Sequence, residues 1–182
     1  LTQRLIQMEK SKYIEEIIRA SVSMASKKIG AIIVIERNTE LKDLVEMGIQ
    51  LDARITRELL TSIFLPYSPI HDGAVIIKGD RFAAAGCFLP LTLSADVSKA
   101  LGTRHRAAIG VTEETDAVVI VVSEETVDIS VSIDGNIMRK LDTSALRRVL
   151  MNIFQQQKGK DKNRWFGSER INRIIAGEEI NK

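Results

Sequence analysis

Residues 74–89 read AVIIKGDRFAAAGCFL, two apolar runs separated by a Gly79-Asp80 turn. So short a link cannot make a parallel crossover, which needs a dozen or more residues, so Ala74–Lys78 and Phe82–Leu89 are predicted to form an antiparallel hairpin. Working outward, Ala31–Ile35 and Val118–Val122 are continuous β-branched runs that read as strands buried on both faces. Val127–Ile133 is a further strand, and Asp134-Gly135-Asn136 turns it into Ile137–Leu141.

Helical spacing fills the intervals. Ile14, Ile17, Ile18, Ser21 and Ala25 share one face of a predicted helix over 7–28, ended by Gly30. Leu41–Met47 reads as a short helix stopped at Gly48, and Thr56 as the N-cap of a second that runs to Pro66. Pro66 and Pro69 restrict the backbone before them, so residues 66–72 should be a shaped loop that delivers Asp72 to a strand edge. A short helix is expected over Asp96–Leu101, another after a Thr103 cap to about Glu114, and a strong one from Asp142 or Thr143 with the stripe Leu146, Val149, Leu150, Ile153 and Phe154. Strands and helices interleave without a strict βαβ rhythm. The expected fold is therefore α/β, a central twisted mixed sheet flanked by helices, as a single domain over 1–157 with a weakly specified basic tail over 158–182.

Composition narrows the function classes. Lys plus Arg number 26 against 24 Asp plus Glu, and the tail from Lys158 carries seven basic and four acidic residues, leaving the rest of the chain at about −1. That is too balanced for a surface that tracks nucleic-acid phosphates, so no nucleic-acid partner is expected. The lone Cys87 can form no internal disulfide and belongs to no zinc-binding cluster, which suggests an intracellular setting. No apolar run is long enough to cross a bilayer. Trp165-Phe166, among Lys160, Lys162 and Arg164, could touch a membrane surface, but folding back on the core is the preferred reading.

There is no phosphate-binding glycine loop, serine elbow or paired-histidine metal helix. Two polar clusters stand out instead. In His71-Asp72-Gly73-Ala74 a carboxylate enters a strand, where it could hold a cation, while Gly73 and Ala74 would let a substrate approach the backbone. Magnesium prefers oxygen ligands, whereas manganese or cobalt also accepts imidazole, so His71 beside Asp72 points to a transition-metal preference. An ordinary Asp-Gly turn with a surface histidine is the plain alternative.

In Gly102-Thr103-Arg104-His105-Arg106 a helix start meets three cationic or titratable side chains, a natural triphosphate site. A solvated charged cap is the alternative, and consecutive helical side chains cannot all reach one ligand. Phe88 and the Leu89 backbone could serve an adenine, although core packing suits Phe88 as well. Ser123, Glu124 and Glu125 follow a buried strand and could donate to phosphate or help hold a cation; a plain acidic turn fits equally.

From about Lys28 to Leu141 the chain resembles the catalytic domain of the membrane-anchored bacterial diadenylate cyclases, the CdaA class of the DisA_N family. The resemblance rests on SPIHDGAVI at 68–76, AAGCFLPL at 84–91, LGTRHRAAIG at 101–110 and VSEET at 122–126. It implies that two ATP molecules are condensed into cyclic di-AMP with release of pyrophosphate. It assigns Asp72, Gly73, Ala74 and Arg104 to catalysis, and Asp72 with His71 to a divalent cation, manganese favoured with magnesium or cobalt as alternatives. Phe88 and Leu89 fall to adenine, and Gly102, Thr103, Arg104, His105, Arg106, Ser123 and Glu125 to phosphate and metal.

Cyclisation needs two reciprocal attacks, so a homodimer with facing sites is expected. The resemblance further implies a cytoplasmic catalytic domain, membrane helices upstream and room for a regulatory protein. Two departures stand out. Phe88 replaces a frequent tyrosine, and Val127 replaces a usual glycine. If that glycine takes a positive φ, the valine is expected to force a different turn and to shift Glu125. A non-catalytic sensor of ATP or cyclic dinucleotide is the competing function.

Overall fold

The structure is a computed structural model, and it describes residues 2–97, 101–155, 173 and 175–177. Seven strands form one mixed sheet. They are β1 (Ala31–Ile35), β2 (Ile49–Arg54), β3 (Ala74–Lys78), β4 (Arg81–Cys87), β5 (Val118–Val122), β6 (Ile129–Ile133) and β7 (Asn136–Met138), in the spatial order β2-β4-β3-β1-β5-β6-β7. Only β1 and β3 pair in parallel; every other neighbour is antiparallel. The hairpin of residues 74–87 is present, with Lys78 opposite Arg81.

Five helices cover the two faces: α1 (Thr2–Ser26), α2 (Lys42–Met47), α3 (Arg57–Phe64), α4 (Thr103–Glu114) and α5 (Thr143–Gln155). One face packs Ile17, Ile18 and Met24 of α1, Leu60 and Phe64 of α3 and Leu146 and Leu150 of α5 against Ile33, Val75, Ile120 and Val131. The other places Ala107, Ala108 and Val111 of α4 on Val34, Ile76, Val119 and Val121. Alternate residues of β1 and β5 serve opposite cores, which is why both runs are apolar throughout. Such burial contributes about 25 cal/mol per Å² of apolar surface and dominates the stability of the domain.

Local chemistry fixes the ends. The Thr56 hydroxyl accepts the Leu59 N–H at 3.2 Å, and the Asp142 carboxylate accepts the Ala145 N–H at 2.7 Å. Each cap satisfies one of the N–H groups that a helix start leaves open, and is worth about 1 kcal/mol. α1 starts earlier than its periodicity suggested and ends at Ser26, before Lys28 at φ 55.

Two further expectations are corrected. Residues 49–54, to which the sequence reading gave no element, form β2, and α4 is capped by Gly102 rather than by Thr103. The β6 strand also starts at Ile129 rather than Val127, because a turn occupies residues 124–126. Of the helix expected at Asp96–Leu101, residues 98–100 lie outside the described residues, as do the Trp165-Phe166 segment and most of the tail, while Asp96, Val97 and Leu101 are turn and bend rather than helix. Arg148 of α5 donates to the Ile175 carbonyl at 2.5 Å, so part of the tail touches the body of the domain. Among the described residues no helix is long and apolar enough to cross a membrane.

Candidate active site

The sheet explains where a site can form. Because β1 and β3 run parallel while β4 and β5 oppose them, one end of the sheet gathers the starts of β1 and β3 and the finishes of β4 and β5. The pairings Ala31 with Val122 and Ala74 with Cys87 mark that end. The first turn of α4 lies over it. Together they enclose a cleft of about 570 Å³.

Its floor includes Ile32, Ala74, Cys87 and Val121, and its walls carry Asp72, Gly73, Phe88, Leu89, Gly102, Thr103, Arg104, His105, Ser123 and Glu125. The two clusters picked from the sequence, more than 25 residues apart, therefore converge on one cavity. His71 and Arg106 are not among the lining residues. The His71 Nδ1–H donates to the Ser68 carbonyl at 2.6 Å, which leaves Nε2 with the lone pair. Arg106 is rotated away by helical geometry, and its Nε is buried with no hydrogen-bond partner among the described residues.

The backbone near Asp72 is tightly specified. Gly73 has φ 116, and a Cβ there would lie 2.7 Å from the Gly86 carbonyl carbon and 2.9 Å from Cys87 N. Its bareness thus admits the β4 backbone, whereas substrate approach was the expectation, and the close packing holds Asp72 at the cleft edge. Asp72 itself is exposed.

On the opposite wall the Arg104 Nη1 donates to Glu124 Oε1 at 3.1 Å. Because Gly102 supplies no side-chain cap, the first-turn N–H groups of α4 stay open toward the cleft, next to that guanidinium. The 90–94 segment is strapped onto α4: the Thr92 N–H donates to the Arg106 carbonyl at 3.1 Å and its hydroxyl to Glu113 at 2.8 Å.

Electrostatics sorts the remaining groups. Burial, followed by the Arg139 charge, holds His105 below the ordinary imidazole range, so the ring is neutral at pH 7. Its Nε2 has no hydrogen-bond partner among the described residues. Burial pushes the Cys87 thiol up to about 11, which removes it as a nucleophile or thiolate ligand. Phe88 is 68% exposed, so it is not the core residue its alternative reading supposed, and with Leu91 it gives the cleft lining an exposed apolar part. Among the described residues no three His, Cys, Asp or Glu side chains gather as a preformed metal cluster.

Sequence reasoning missed Arg139, Cys87 and Leu91 as cleft residues and did not single out Glu124. Arg139 follows directly on β7; its neighbours signal the β6–β7 hairpin but not that this side chain lines the cleft. Glu124 was one of two equivalent glutamates until the turn set its direction.

The turn after β5 also corrects an expectation. Val127 keeps a positive φ of 63 and does not force a different path. Three bonds hold it: Val127 N–H to the Ser123 carbonyl at 3.0 Å, Ser123 N–H to the Asp128 carbonyl at 2.9 Å, and Thr126 N–H to the Ser123 hydroxyl at 3.2 Å. A β-branched residue in this region is strained by roughly 1–2 kcal/mol or more. Val127→Gly relieves that strain but adds freedom to the unfolded chain, for an expected net gain of about 1 kcal/mol, or roughly 2–4 °C in Tm. Calorimetry of the two proteins checks this; an unchanged or lowered Tm would show that the turn stores no strain.

The family model for DisA bacterial checkpoint controller nucleotide-binding domains matches residues 18–137, which includes β1 to β6, the start of β7 and both polar clusters. The chain belongs to this DisA nucleotide-binding family. Cyclic di-AMP synthase CdaA of Bacillus subtilis is 46% identical over 162 residues, covering 88% of the chain and 59% of that protein. A diadenylate cyclase of Listeria monocytogenes is 47% identical over 146 residues, covering 80% and 54%. The chain thus spans a little over half the length of these curated relatives. A crystal structure of a double-cysteine variant of DacA from Staphylococcus aureus superposes with a TM-score of 0.78 at 46% identity, covering 80% of this chain and 97% of that one.

Proposed function

We propose that the domain is a diadenylate cyclase, condensing two ATP molecules into cyclic di-3′,5′-AMP and two pyrophosphates. The observation that carries this reading is the convergence of Asp72 and Arg104 on opposite walls of one cleft. The apolar floor and the exposed Phe88 face suit an adenine, with the Leu89 backbone at its edge. The Arg104 guanidinium, the open N–H groups of α4, Thr103 and Ser123 suit the triphosphate.

In each half-reaction the 3′-hydroxyl oxygen of one ATP attacks the α-phosphorus of the other. A new O–P bond forms, the bond to pyrophosphate breaks, and Asp72 takes up the hydroxyl proton. Arg104 offsets charge that develops on the phosphate oxygens. The donor set fits a cation that arrives with the nucleotide: an ion held by one or two carboxylates and by phosphate oxygens needs no preformed cage. Asp72, with Glu125 as a further donor, would hold it; the expected preference for manganese rests on His71, the neighbour of Asp72 in the chain, which does not line the cleft. When bound, such an ion would supply the lowered hydroxyl pKa that a carboxylate alone cannot achieve at neutral pH.

Reciprocal attack requires two sites face to face, hence a homodimer. The exposed Phe88 and Leu91 of the cleft lining, at 68% and 48% exposure, offer an apolar surface for that encounter.

The purified chain with ATP and Mn²⁺ is expected to yield cyclic di-AMP by mass spectrometry. Its specific rate should rise with protein concentration until dimers saturate. ATP binding without any cyclic product would favour the sensor reading. A specific rate independent of concentration in an obligate monomer would remove the dimer from the mechanism.

A further inference from the structure

Gly30 lies in the link between α1 and β1, buried, and no reading of the site so far uses it. It is not among the residues that line the cleft. A Cβ built on it would nevertheless lie 2.5 Å from Arg104 Nη1, 2.6 Å from Arg104 Cζ and 2.8 Å from Glu124 Oε2. All three distances are too short for real contacts. The colliding atoms are the tips of two long side chains and include no backbone, so what the glycine leaves room for is the ion pair itself.

Its φ lies outside the left-handed region, so an alanine there meets no backbone penalty. The requirement for glycine is one of space.

We infer that Gly30 is a positioning residue: its bare Cα forms a seat into which the Arg104 guanidinium packs while Glu124 Oε1 holds its Nη1. Neighbouring geometry supports this. Gly30 directly precedes Ala31, whose β-pair is Val122, two residues before Glu124. The register of the central sheet therefore fixes the seat and the Glu124 turn relative to each other. Arg104 arrives from α4 on the other side.

A fork that donates to phosphate must present its free N–H groups at one angle, and a long flexible side chain does so only if its tip is confined. The seat supplies the confinement without adding a polar group that would compete for the ligand. This inference rests on the nucleotide-binding reading of the cleft. Within that reading it gives Gly30 a role in setting phosphate affinity, without contact to substrate.

The test compares the parent, Gly30→Ala, Arg104→Ala and the double variant by ATP titration calorimetry, with Tm measured on each. Gly30→Ala should weaken ATP binding about tenfold at a Tm within about 2 °C of the parent, on the scale of one displaced charged hydrogen bond. In the Arg104→Ala background the same change should have no further effect on ATP affinity, since nothing is left to displace. Parent-like ATP affinity in Gly30→Ala would overturn the inference, and so would an equal loss in both backgrounds.

If Gly30→Ala alone lowers Tm sharply, the double variant decides. Recovery of the stability of Arg104→Ala would show that the guanidinium fills the space, and failure to recover would assign the glycine to the backbone. A parent that binds no ATP would overturn the functional reading itself, an outcome distinct from failure of the seat.

Discussion

Asp72→Asn is expected to lower cyclic di-AMP formation by about 10³-fold while ATP affinity changes less than about threefold. The substitution keeps the size of the side chain and alters no packing, since Asp72 is exposed at the cleft edge and Gly73, not Asp72, meets the β4 backbone. What it removes is a negative charge that can draw in a cation and a group that can accept a proton. Both matter only to the attacking hydroxyl. On the proposed reading most of the affinity for ATP should come from the other wall, where Arg104 and the start of α4 would meet the phosphates. Initial rates with ATP and Mn²⁺, beside calorimetric binding of ATP, separate the two effects. Equal activity of D72N and the parent would refute the role given to Asp72. An equal loss of affinity and rate would make it a ground-state binding residue instead.

Arg104→Ala should act on both quantities. A charged hydrogen bond to phosphate is worth roughly 1.5–3 kcal/mol, so ATP affinity should fall about 10- to 100-fold. A second effect adds to this. In the parent, Glu124 spends its charge on Arg104, as the 3.1 Å contact shows; without that partner its carboxylate would face the triphosphate and repel it. Turnover at saturating ATP should also drop, because charge on the phosphate oxygens grows as pyrophosphate departs. Arg104→Lys is expected to recover only part of either, since an ammonium cannot reproduce the planar fork. The measurement is a comparison of kcat and KM with directly measured binding. Undiminished ATP affinity in Arg104→Ala would dissociate that residue from the phosphates.

Much of this fold is legible in the linear chain because its signals are local. The Thr56 and Asp142 caps, the 74–87 hairpin and the doubly apolar β1 and β5 each follow from neighbours within a few residues. The strand β2 was not read, although Ile49, Leu51 and Ala53 alternate with Gln50, Asp52 and Arg54. It lies at the sheet edge with Ile49 59% exposed, and Asp52 sits at φ 48 within an irregular pairing, so its pattern resembles a polar link. The one-residue error at α4 arose because Thr103 is a good cap by type, whereas the chain uses Gly102 and leaves the helix start bare.

The site was legible as two motifs, and less so in its assembly. Which of Arg104 and Arg106 reaches the cleft depends on the rotation of α4, and that is set by the burial of Ala107, Ala108 and Val111. Arg139 and Gly30 act through neighbours remote in sequence. A glycine at a helix end is also the expected stop signal, so its second use is hidden by its first. Val127 was read as a departure that must move the turn. Three hydrogen bonds hold it at a positive φ against its backbone preference.

The central pairing has a bearing on how the domain comes into being. Ala31 meets Val122 across some ninety intervening residues, and the cleft draws on Arg139 further still. During synthesis the early helices and the 74–87 hairpin can form from their own sequence, but nothing resembling a binding surface exists until the later strands have left the ribosome. Such long-range closure is slow compared with helix formation. A ligand of this cleft, ATP on the proposed reading, would recognise only the finished molecule, and by doing so it would pull the last folding step toward completion.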